Sequence, residues 1–368
     1  MRALGMMSGT SLDGIDLAVL ETDGETIAAF GPVASFHYDG HQAERALIFG
    51  AMEDAAGLTD RAARPGRLVD AEAAVTRLNT EAILAFLKTA GSVDVIGFHG
   101  QTVVHRPEIG LTVQLGDGWA LARAAGVPVV FDFRAADMAI GGQGAPFVPV
   151  FHRALVKALD VPGPVAVLNL GGVANVTYLD GDAEPVGCDV GPANALLDDF
   201  MLTRTGQPFD ADSAAANAGK ADETAIAGLL KHGFFDQPPP KSLDRNAFRR
   251  WVSERLPLDR MSVEDGAATL TAFTAAATMR ILPHLPRRPM TWIVVGGGAR
   301  NPAMMRMLAE RLAPAGVLTG GEVGWSSDHV EAQAFAFLAV RSLRGLPLSF
   351  PWTTGVPQPT TGGVICLP

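Results

Sequence analysis

A pattern of strand, glycine-containing turn and strand occurs twice in this 368-residue chain and constrains its fold more than any other feature. The first copy is the run Gly9-Thr10-Ser11-Leu12-Asp13-Gly14-Ile15-Asp16, which lies between apolar stretches at 3–4 and 17–20. In the second copy, Gly171-Gly172 lies between apolar runs at 165–170 and 173–178, which read as paired strands. Because the same unit opens both halves of the chain, we expect two similar α/β halves, each with a mixed sheet flanked by helices.

The first glycine turn has the composition of a phosphate-binding loop. Glycines let the backbone approach an anion closely and direct its N–H groups toward it. Thr10 and Ser11 add hydroxyl donors, and Asp13 or Asp16 is suited to hold a hydrated Mg²⁺. The alternative is an ordinary hairpin turn made of Gly and Asp residues. The recurrence of the pattern favours the phosphate loop.

A third glycine cluster, Gly296-Gly297-Gly298, follows the apolar strand 292–295 and precedes a helix that begins near Asn301. Two glycine hairpins and one glycine-rich strand-to-helix turn on similar half-chains are difficult to explain by packing alone. None of them is a Walker-type loop, because no Gly-Lys-Ser/Thr follows. The sequence also lacks a GxGxxG run that opens a βαβ unit, which argues against a nicotinamide enzyme.

Length and charge set the outer limits. A chain of 368 residues favours two domains, and its formal net charge of −10 argues against nucleic acid as the main partner. The two cysteines, Cys188 and Cys366, imply neither a disulfide framework nor a cysteine-based zinc site. The N-terminus does not read as a secretory signal, and the sequence has no run of about 18 apolar residues. We therefore expect a cytoplasmic protein without a membrane partner.

Hydrophobic periodicity predicts the order of the elements. In the first half it predicts three strands up to about residue 38, helices at 41–56, 66–90 and 117–125, and strands at 93–98, 111–115 and 127–131. The second half repeats this order from residue 165, with a long helical insertion between about 192 and 285.

Together these motifs resemble the 1,6-anhydro-N-acetylmuramic acid kinases, a family within the superfamily of actin-like, sugar kinase and heat-shock-chaperone ATPases. The similar runs span nearly the whole chain in the right order, and they are Gly5-Met6-Met7-Ser8-Gly9-Thr10-Ser11-Leu12-Asp13-Gly14, Phe98-His99-Gly100-Gln101-Thr102, Gln114-Leu115-Gly116-Asp117, Asp132-Phe133-Arg134, Gly141-Gly142-Gln143-Gly144-Ala145-Pro146, Asn169-Leu170-Gly171-Gly172-Val173-Ala174-Asn175, Gly187-Cys188-Asp189-Val190-Gly191-Pro192-Ala193-Asn194, Pro239-Pro240-Lys241-Ser242 and Gly296-Gly297-Gly298-Ala299-Arg300-Asn301. The family usually has Phe-Asp-Thr-Gly-Pro-Gly-Asn where this chain has Val190 and Ala193 in place of the Thr and the second Gly.

The resemblance implies two ribonuclease-H-like domains that close on ATP. These are residues 1–133, with the segment 356–368 packed back on them, and residues 134–355. It also implies Mg²⁺ as a cofactor and a homodimer as the assembly. The residues that it assigns to ATP are Gly9, Thr10, Ser11, Leu12, Asp13, Gly14, Ile15, Asp16, Gly171, Gly172, Gly296, Gly297, Gly298 and Asn301, and it assigns Mg²⁺ to Asp13 and Asp16 through water.

The resemblance further implies an unusual reaction in the recycling of cell-wall murein sugars. ATP phosphorylates O6 of 1,6-anhydro-N-acetylmuramic acid while water opens the anhydro bridge, giving N-acetylmuramic acid 6-phosphate and ADP. Water that attacks the anomeric carbon C1 must lose a proton, so a carboxylate base must lie beside C1. Asp189, which follows a short predicted strand at 185–188 and precedes Gly191-Pro192, is the candidate base. Its other interpretation is a helix N-cap.

Six further residues are assigned to the sugar, namely His99, Gln101, Thr102, Arg134, Asn194 and Glu331. Arg134 follows a strand end, where a guanidinium binds the lactyl carboxylate bidentately or forms a buried salt bridge. His99 also follows a strand, at a position where a histidine is more often structural. Glu331 opens the last long helix, where it contacts sugar hydroxyls or merely favours the helix dipole.

Two alternative functions share some of these features. An ordinary amino-sugar kinase, which phosphorylates a free hydroxyl, would use the same ATP-binding loops. A chaperone-like or filament-forming nucleotide switch is the alternative from another class, but the insertion at 192–285 is too short to add a peptide-binding domain. The anhydro-sugar kinase is the function that the motifs favour.

Overall fold

The computed structural model of the chain describes residues 1–9, 11–243, 245–325 and 329–368. Contacts between Cα atoms divide it into two compact units, Met1–Ala158 with Asp328–Pro368, and Leu159–Ser327. The predicted Thr10 of the phosphate loop lies outside the described residues. None of the helices in the described ranges has the length and apolar character that a membrane span requires.

The first unit is built on a mixed sheet with the strand order β13-β7-β4-β1-β2-β3. The strands of this sheet are β1 Arg2–Met7, β2 Gly14–Thr22, β3 Ile27–His37, β4 Val95–Phe98, β7 Val129–Phe131 and β13 Val364–Cys366. The unit also contains β5 Gln101–Arg106 and β6 Leu111–Leu115, which pair with each other. Strands β1, β2 and β3 form an antiparallel meander, and β4 and β7 continue the sheet in parallel to β1. Strands β1 and β4 are buried along most of their length, as central strands require.

Helices of the first unit pack on this sheet and on one another. They are α1 Gln42–Ala55, α2 Leu68–Ala90, α3 Gly118–Ala125, α4 Ala135–Ala139, α5 Val148–Lys157, α12 Val330–Leu343 and α13 Pro351–Thr354. Helix α12 packs directly on β1 and β4 through two glycines. A Cβ atom at Gly5 would overlap the Ala332 carbonyl, and one at Gly97 would overlap the Phe335 carbonyl. This close approach ties 328–355 to the first unit, so the contacts divide the chain after 158 and 327, whereas the predicted domain boundaries lie after 133 and 355.

The second unit has a mixed sheet with the order β10-β9-β8-β11-β12. Its strands are β8 Val165–Leu170, β9 Val173–Leu179, β10 Val186–Pro192, β11 Thr291–Val295 and β12 Gly316–Thr319. Its helices are α6 Asn194–Thr205, α7 Ala214–Ala218, α8 Glu223–Leu229, α9 Arg245–Arg255, α10 Val263–Thr278 and α11 Pro302–Leu312. Helix α10 is buried through almost its whole length, and it forms the centre of the insertion between β10 and β11.

The two sheets share one topology. In each, an antiparallel meander of three strands is extended by two strands that run parallel to the first, β1-β2-β3 with β4 and β7 in one case and β8-β9-β10 with β11 and β12 in the other. The predicted α/β class, with two ribonuclease-H-like halves and a helical insertion in the second, is therefore confirmed. The glycine turns that suggested the repeat connect β1 to β2 and β8 to β9, at equivalent places in the two sheets.

The predicted strand at 111–115 is confirmed, and it pairs with β5 in a separate two-stranded sheet. One local prediction was wrong. Asp189 lies inside β10, whereas the sequence suggested that the strand ends at Cys188. The ladder between β9 and β10 continues past Asp189 through a bulge between Asp189 and Gly191. Pro192 can be the last residue of this strand because β10 lies at the edge of the sheet, where a missing N–H is tolerated.

Candidate active site

The turn after β1 is fixed by contacts that the sequence did not reveal. The Leu12 N–H donates to the Gly9 carbonyl at 3.2 Å, and Leu12 itself has a φ of 54° with its side chain fully buried. From α1, Arg45 Nε donates to the Leu12 carbonyl at 2.8 Å and Nη2 donates to the Ser11 carbonyl at 3.4 Å. A leucine in the left-handed region is strained, and the buried side chain and the guanidinium together hold Leu12 in this conformation.

Several glycines of the three clusters are required by packing. A Cβ atom at Gly14 would lie 2.5 Å from the Phe36 carbonyl oxygen on β3. One at Gly298 would lie 2.5 Å from Leu170 Cβ, and one at Gly296 would lie 2.9 Å from the Leu170 carbonyl oxygen. Gly296 also has a φ of 79°, which favours glycine. Because Gly296 and Gly298 have no side chain, the Gly296–Gly298 segment can pack closely against Leu170 at the end of β8.

Other glycines have no such reason. A Cβ atom at Gly9 would approach nothing in the described structure closer than Ser11 Oγ at 3.5 Å. At Gly171 the nearest described atom would be 3.8 Å away, and at Gly172 it would be 3.6 Å away. None of the three has a φ in the left-handed region. A ligand that approaches the backbone closely would explain why these positions hold glycine.

The second hairpin is joined to the start of α6. The Gly171 carbonyl accepts a hydrogen bond from the Asn194 N–H at 2.9 Å, and the Gly172 carbonyl accepts one from the Ala193 N–H at 3.2 Å. Asn194 Nδ2 donates to the Leu170 carbonyl at 3.0 Å. The side chain predicted to contact sugar thus also holds the hairpin in place.

Asn301, predicted beside the nucleotide, caps helix α11. Its Oδ1 accepts from the Met304 N–H at 2.8 Å and from Ser213 Oγ at 2.6 Å. Gly296 borders a cleft of about 210 Å³. The residues that line this cleft are Val294, Val295, Gly296, Ala299, Arg300, Thr319, Gly320, Gly321 and Trp325.

In the first unit, His99 and Arg134 form a pair. His99 Nδ1 lies 2.8 Å from the Gly100 carbonyl, which can only accept, so Nδ1 carries the hydrogen. The other ring nitrogen, Nε2, then accepts from Arg134 Nη2 at 3.0 Å. Burial, with a smaller effect of the nearby Arg134 charge, lowers the pKa of His99 to about 3 and keeps the ring neutral. Both ring nitrogens are therefore used within the protein, and His99 orients Arg134.

One nitrogen of the Arg134 guanidinium has no hydrogen-bond partner among the described residues. Its Nη1 donates to the Gly144 carbonyl at 2.7 Å, while Nε is buried and has no partner among the described residues. Burial lowers the pKa of Arg134 to about 10, against the opposite effect of Glu331 and Asp137, so the group stays charged at neutral pH. A buried charged donor without a partner is costly. An anionic ligand group would satisfy it.

Gln101, two residues after His99, contacts the first glycine turn. It is almost fully buried, and its Nε2 donates to the Gly9 carbonyl at 3.2 Å. Its Oε1 is buried without a partner among the described residues. Thr102, the next residue on β5, accepts from Gln114 Nε2 at 3.2 Å. The amide oxygen of Gln101 is thus an acceptor that a ligand hydroxyl would satisfy.

The carboxylate of Asp16, which follows the first glycine turn, affects the pKa of Glu331 on α12. Asp16 Oδ1 accepts from Ser35 Oγ at 2.6 Å, and Ser35 lies 3.3 Å from His329 Nε2. The pKa of Glu331 is raised, mainly because surrounding protein atoms exclude water from its carboxyl group. The Arg134 charge lowers this pKa, and the Asp16 charge raises it. The solvent exposure of the Glu331 side chain limits this effect. The structure therefore brings Asp16, Glu331 and Arg134 together.

Asp189 lies in the second unit at the bulge of β10. Its Oδ2 accepts from the Leu243 N–H at 2.7 Å, and its own N–H donates to the Lys241 carbonyl at 3.0 Å. Burial raises the pKa of Asp189 to about 6, while the Leu243 N–H and the Lys241 charge act in the opposite direction. A carboxylate with this pKa is ionised at neutral pH and binds a proton more readily than an ordinary one. These are the properties of a general base.

Comparison with known proteins covers the whole chain. A family model described as anhydro-N-acetylmuramic acid kinase matches residues 1–368. A protein of that name from Azorhizobium caulinodans is 58% identical over 372 residues, which include 100% of both chains. Another of that name, from Nitrobacter winogradskyi, is 57% identical over 372 residues, again with 100% of both chains covered. The glycine turns, Arg134 and Asp189 all lie within the matched length.

Proposed function

Because the chain belongs to the anhydro-N-acetylmuramic acid kinase family, we propose that the residues described above perform the hydrolytic form of the family's reaction, with Asp189 as the base. The resemblance noted in the sequence is confirmed, and the enzyme is a kinase of the anhydro sugar in cell-wall recycling. Membership of this family argues against a chaperone-like or filament-forming switch. An ordinary kinase reaction on a free hydroxyl differs in its product and is an outcome of the test below.

Asp189 is assigned to the water that opens the anhydro bridge. One carboxylate oxygen is held by the Leu243 N–H, and the other takes the proton as the water oxygen bonds to C1. The C1–O6 bond breaks, O6 receives the γ-phosphoryl group of ATP, and ADP leaves. The observation that carries this assignment is the fixed, half-buried carboxylate at the β10 bulge, whose pKa is raised by partial burial. It accepts a proton at neutral pH without being protonated beforehand.

Arg134 is assigned to the lactyl carboxylate of the sugar. Its Nε–H, which has no partner among the described residues, and a remaining Nη–H are the donors, and His99 and the Gly144 carbonyl hold the guanidinium plane. A planar guanidinium binds a carboxylate with two parallel hydrogen bonds. Gln101, through its free Oε1, and Glu331 are assigned to sugar hydroxyls. Thr102 and Asn194 remain candidates for the same role, and His99 acts through Arg134.

ATP is assigned to the three glycine clusters. The open backbone at Gly9, Gly171 and Gly172 is suited to phosphate oxygens, since a side chain there would occupy the space of a ligand and not of protein. The cleft beside Gly296 is suited to the adenosine, with Trp325 as an apolar wall. The other residues of these clusters shape the loops, and Thr10 belongs to the same assignment from sequence alone.

Mg²⁺ is assigned to Asp13 and Asp16 through water. Mg²⁺ prefers oxygen ligands and keeps several waters. Asp13 is exposed in the turn, and Asp16 lies among hydroxyl and carboxylate groups, so the donor set fits a hydrated Mg²⁺. When bound, the ion neutralises phosphate charge. We also propose that the enzyme is a cytoplasmic homodimer, as the family resemblance implies.

The product distinguishes the hydrolytic kinase from an ordinary one. The purified chain is incubated with ATP, Mg²⁺ and anhydro-N-acetylmuramic acid, and the product is weighed by mass spectrometry. We expect N-acetylmuramic acid 6-phosphate. A phosphorylated product that is lighter by one water has kept its anhydro bridge, and it would support the ordinary kinase instead.

A further inference from the structure

The motif Pro239-Pro240-Lys241-Ser242 has no role in the reaction described so far, yet it leads into the segment that contacts Asp189. The Asp189 N–H donates to the Lys241 carbonyl at 3.0 Å, and two residues further on the Leu243 N–H donates to Asp189 Oδ2 at 2.7 Å. The same short segment thus fixes both the backbone and the carboxylate of Asp189. A displacement of residues 241–243 would move the carboxylate.

The Lys241 side chain anchors this segment inside the protein. It is only 5% exposed, and its Nζ donates to the Phe234 carbonyl at 3.1 Å. The same nitrogen lies 4.6 Å from the centre of the Phe234 ring, within the range of a cation–π contact. Burial of an ammonium group is unfavourable, and it accordingly lowers the pKa of Lys241. A buried methionine would fill the same space without this penalty, so packing alone does not account for a lysine here.

Several ionisable groups lie near enough to Lys241 to affect its pKa. The described groups that influence it are Cys188, Arg280, Asp236 and Asp189. Arg280 donates to Asp236 at 2.6 Å, so those two charges pair with each other. Burial raises the pKa of the Cys188 thiol to about 12, so this group is neutral. Asp189 is the member of this set that residues 241–243 also contact through hydrogen bonds, and its carboxylate is opposite in charge to the Lys241 ammonium.

We propose that Lys241 is a positioning residue for Asp189, which holds the segment 241–243 against the carboxylate and supplies a positive charge that favours its ionised form. The proposal rests on the function proposed above for Asp189. It assigns two separable effects to one side chain. The anchor at Phe234 fixes the geometry, and the charge favours the proton-free form of the base.

The test separates charge from anchoring with two variants. Lys241→Gln removes the charge but keeps an N–H donor for the Phe234 carbonyl, whereas Lys241→Met removes both. Lys231→Met, which removes an exposed lysine from the same unit, is the matched control. The Asp189 carboxyl is titrated directly by ¹³C NMR, with its signal identified by its absence in Asp189→Asn. The pH dependence of kcat/KM is measured in parallel, and thermal unfolding confirms that each variant is folded.

We expect the Asp189 signal of Lys241→Gln to titrate at higher pH than in the wild type. The acidic limb of kcat/KM should move in the same direction, with about a tenfold loss of rate on that limb for each pH unit of movement. Lys241→Met should show this shift and a further loss of kcat at all pH values, with KM for ATP unchanged. Lys231→Met should match the wild type.

An Asp189 signal that titrates in folded Lys241→Gln at the wild-type pH would overturn the proposal. Should Lys241→Met not fold, Lys241→Gln alone decides. The NMR titration does not depend on activity. A fully active Asp189→Asn would therefore refute the assignment of the base while the effect of Lys241 on the carboxyl could still be judged.

Discussion

The open glycines of the second hairpin allow a sharp test of nucleotide binding. In Gly171→Ala the added Cβ atom would lie 3.8 Å from the Val173 carbonyl oxygen and 4.0 Å from Asn169 Nδ2, which is ordinary contact. In Gly172→Ala it would lie 3.6 Å from Ala195 Cβ. The backbone does not need glycine at either position, so neither change should weaken the fold. An alanine that fits without strain adds about 0.4–1 kcal/mol of stability, because the unfolded chain loses freedom.

The effect on ATP should be opposite. If the backbone N–H groups of the hairpin donate to phosphate oxygens, the new methyl group displaces at least one charge-assisted hydrogen bond. Such a bond contributes about 1.5–3 kcal/mol, which corresponds to about 10- to 150-fold weaker binding. Titration calorimetry with Mg²⁺ and a non-hydrolysable ATP analogue measures the affinity, and thermal unfolding without ligand measures stability.

Gly296→Ala is the contrasting control. Its Cβ atom would lie 2.9 Å from the Leu170 carbonyl oxygen in a backbone with a φ of 79°, so it should lower the free energy of unfolding by more than about 1 kcal/mol. If Gly171→Ala and Gly172→Ala fold as expected and both bind the nucleotide with wild-type affinity, the hairpin does not contact the phosphates and the argument from open glycines is refuted.

Two further predictions concern the proposed chemistry. Asp189→Asn should lower kcat by about 10²- to 10⁴-fold and leave calorimetric ATP affinity unchanged. The folded-state pKa of Asp189 is raised from 3.8 to about 6, so ionisation of this group disfavours the fold. The stability that the protonated carboxyl contributes is present below about pH 4 and is lost as the pH rises through about 6. Denaturant unfolding above pH 6 should therefore show Asp189→Asn more stable than the wild type by up to about 3 kcal/mol, a difference that disappears below about pH 4; equal stability at all pH values would contradict the raised pKa. Arg134→Lys should raise KM for the anhydro sugar by about tenfold or more through the lost bidentate contact, and should change KM much less for an anhydro sugar without the lactyl group; equal effects on both sugars would place the lactyl carboxylate elsewhere.

The fold was largely predictable because its signals are local. Glycine turns between short apolar runs mark hairpins, and the repeat of that unit at residues 9–16 and 171–172 indicated two sheets of the same topology. The pairing of strands that are distant in the sequence was harder to predict. Nothing in the sequence around 111–115 shows that this strand pairs with β5 alone. The residues after Cys188 read as a helix start, since a bulge that carries a ladder through Asp189 leaves no clear local signal.

The candidate site was predictable in its composition but not in its contacts. Arg134 and Asp189 were identified as charged groups at strand ends or glycine-rich turns. The hydrogen bonds of His99, which show that it orients Arg134, depend on a neighbour 35 residues away. Arg45 contacts the loop from a distant part of the chain, and the sequence gives no reason to select it. Lys241 lies in one of the similar runs, but the sequence does not show that this segment contacts Asp189. Likewise, spacing alone cannot distinguish Gly14, which packing requires, from Gly9, which it does not.

The central claim is that water enters at C1 while phosphate goes to O6, and an oxygen isotope tests it most directly. The enzyme is given ATP, Mg²⁺ and anhydro-N-acetylmuramic acid in ¹⁸O-water, and the product is reduced at once with borohydride, since free sugars exchange their C1 oxygen. The account predicts one ¹⁸O on C1 of the reduced N-acetylmuramic acid 6-phosphate and none in its phosphate group. A product that keeps its anhydro bridge, or one with ¹⁸O in the phosphate and none on C1, would contradict it.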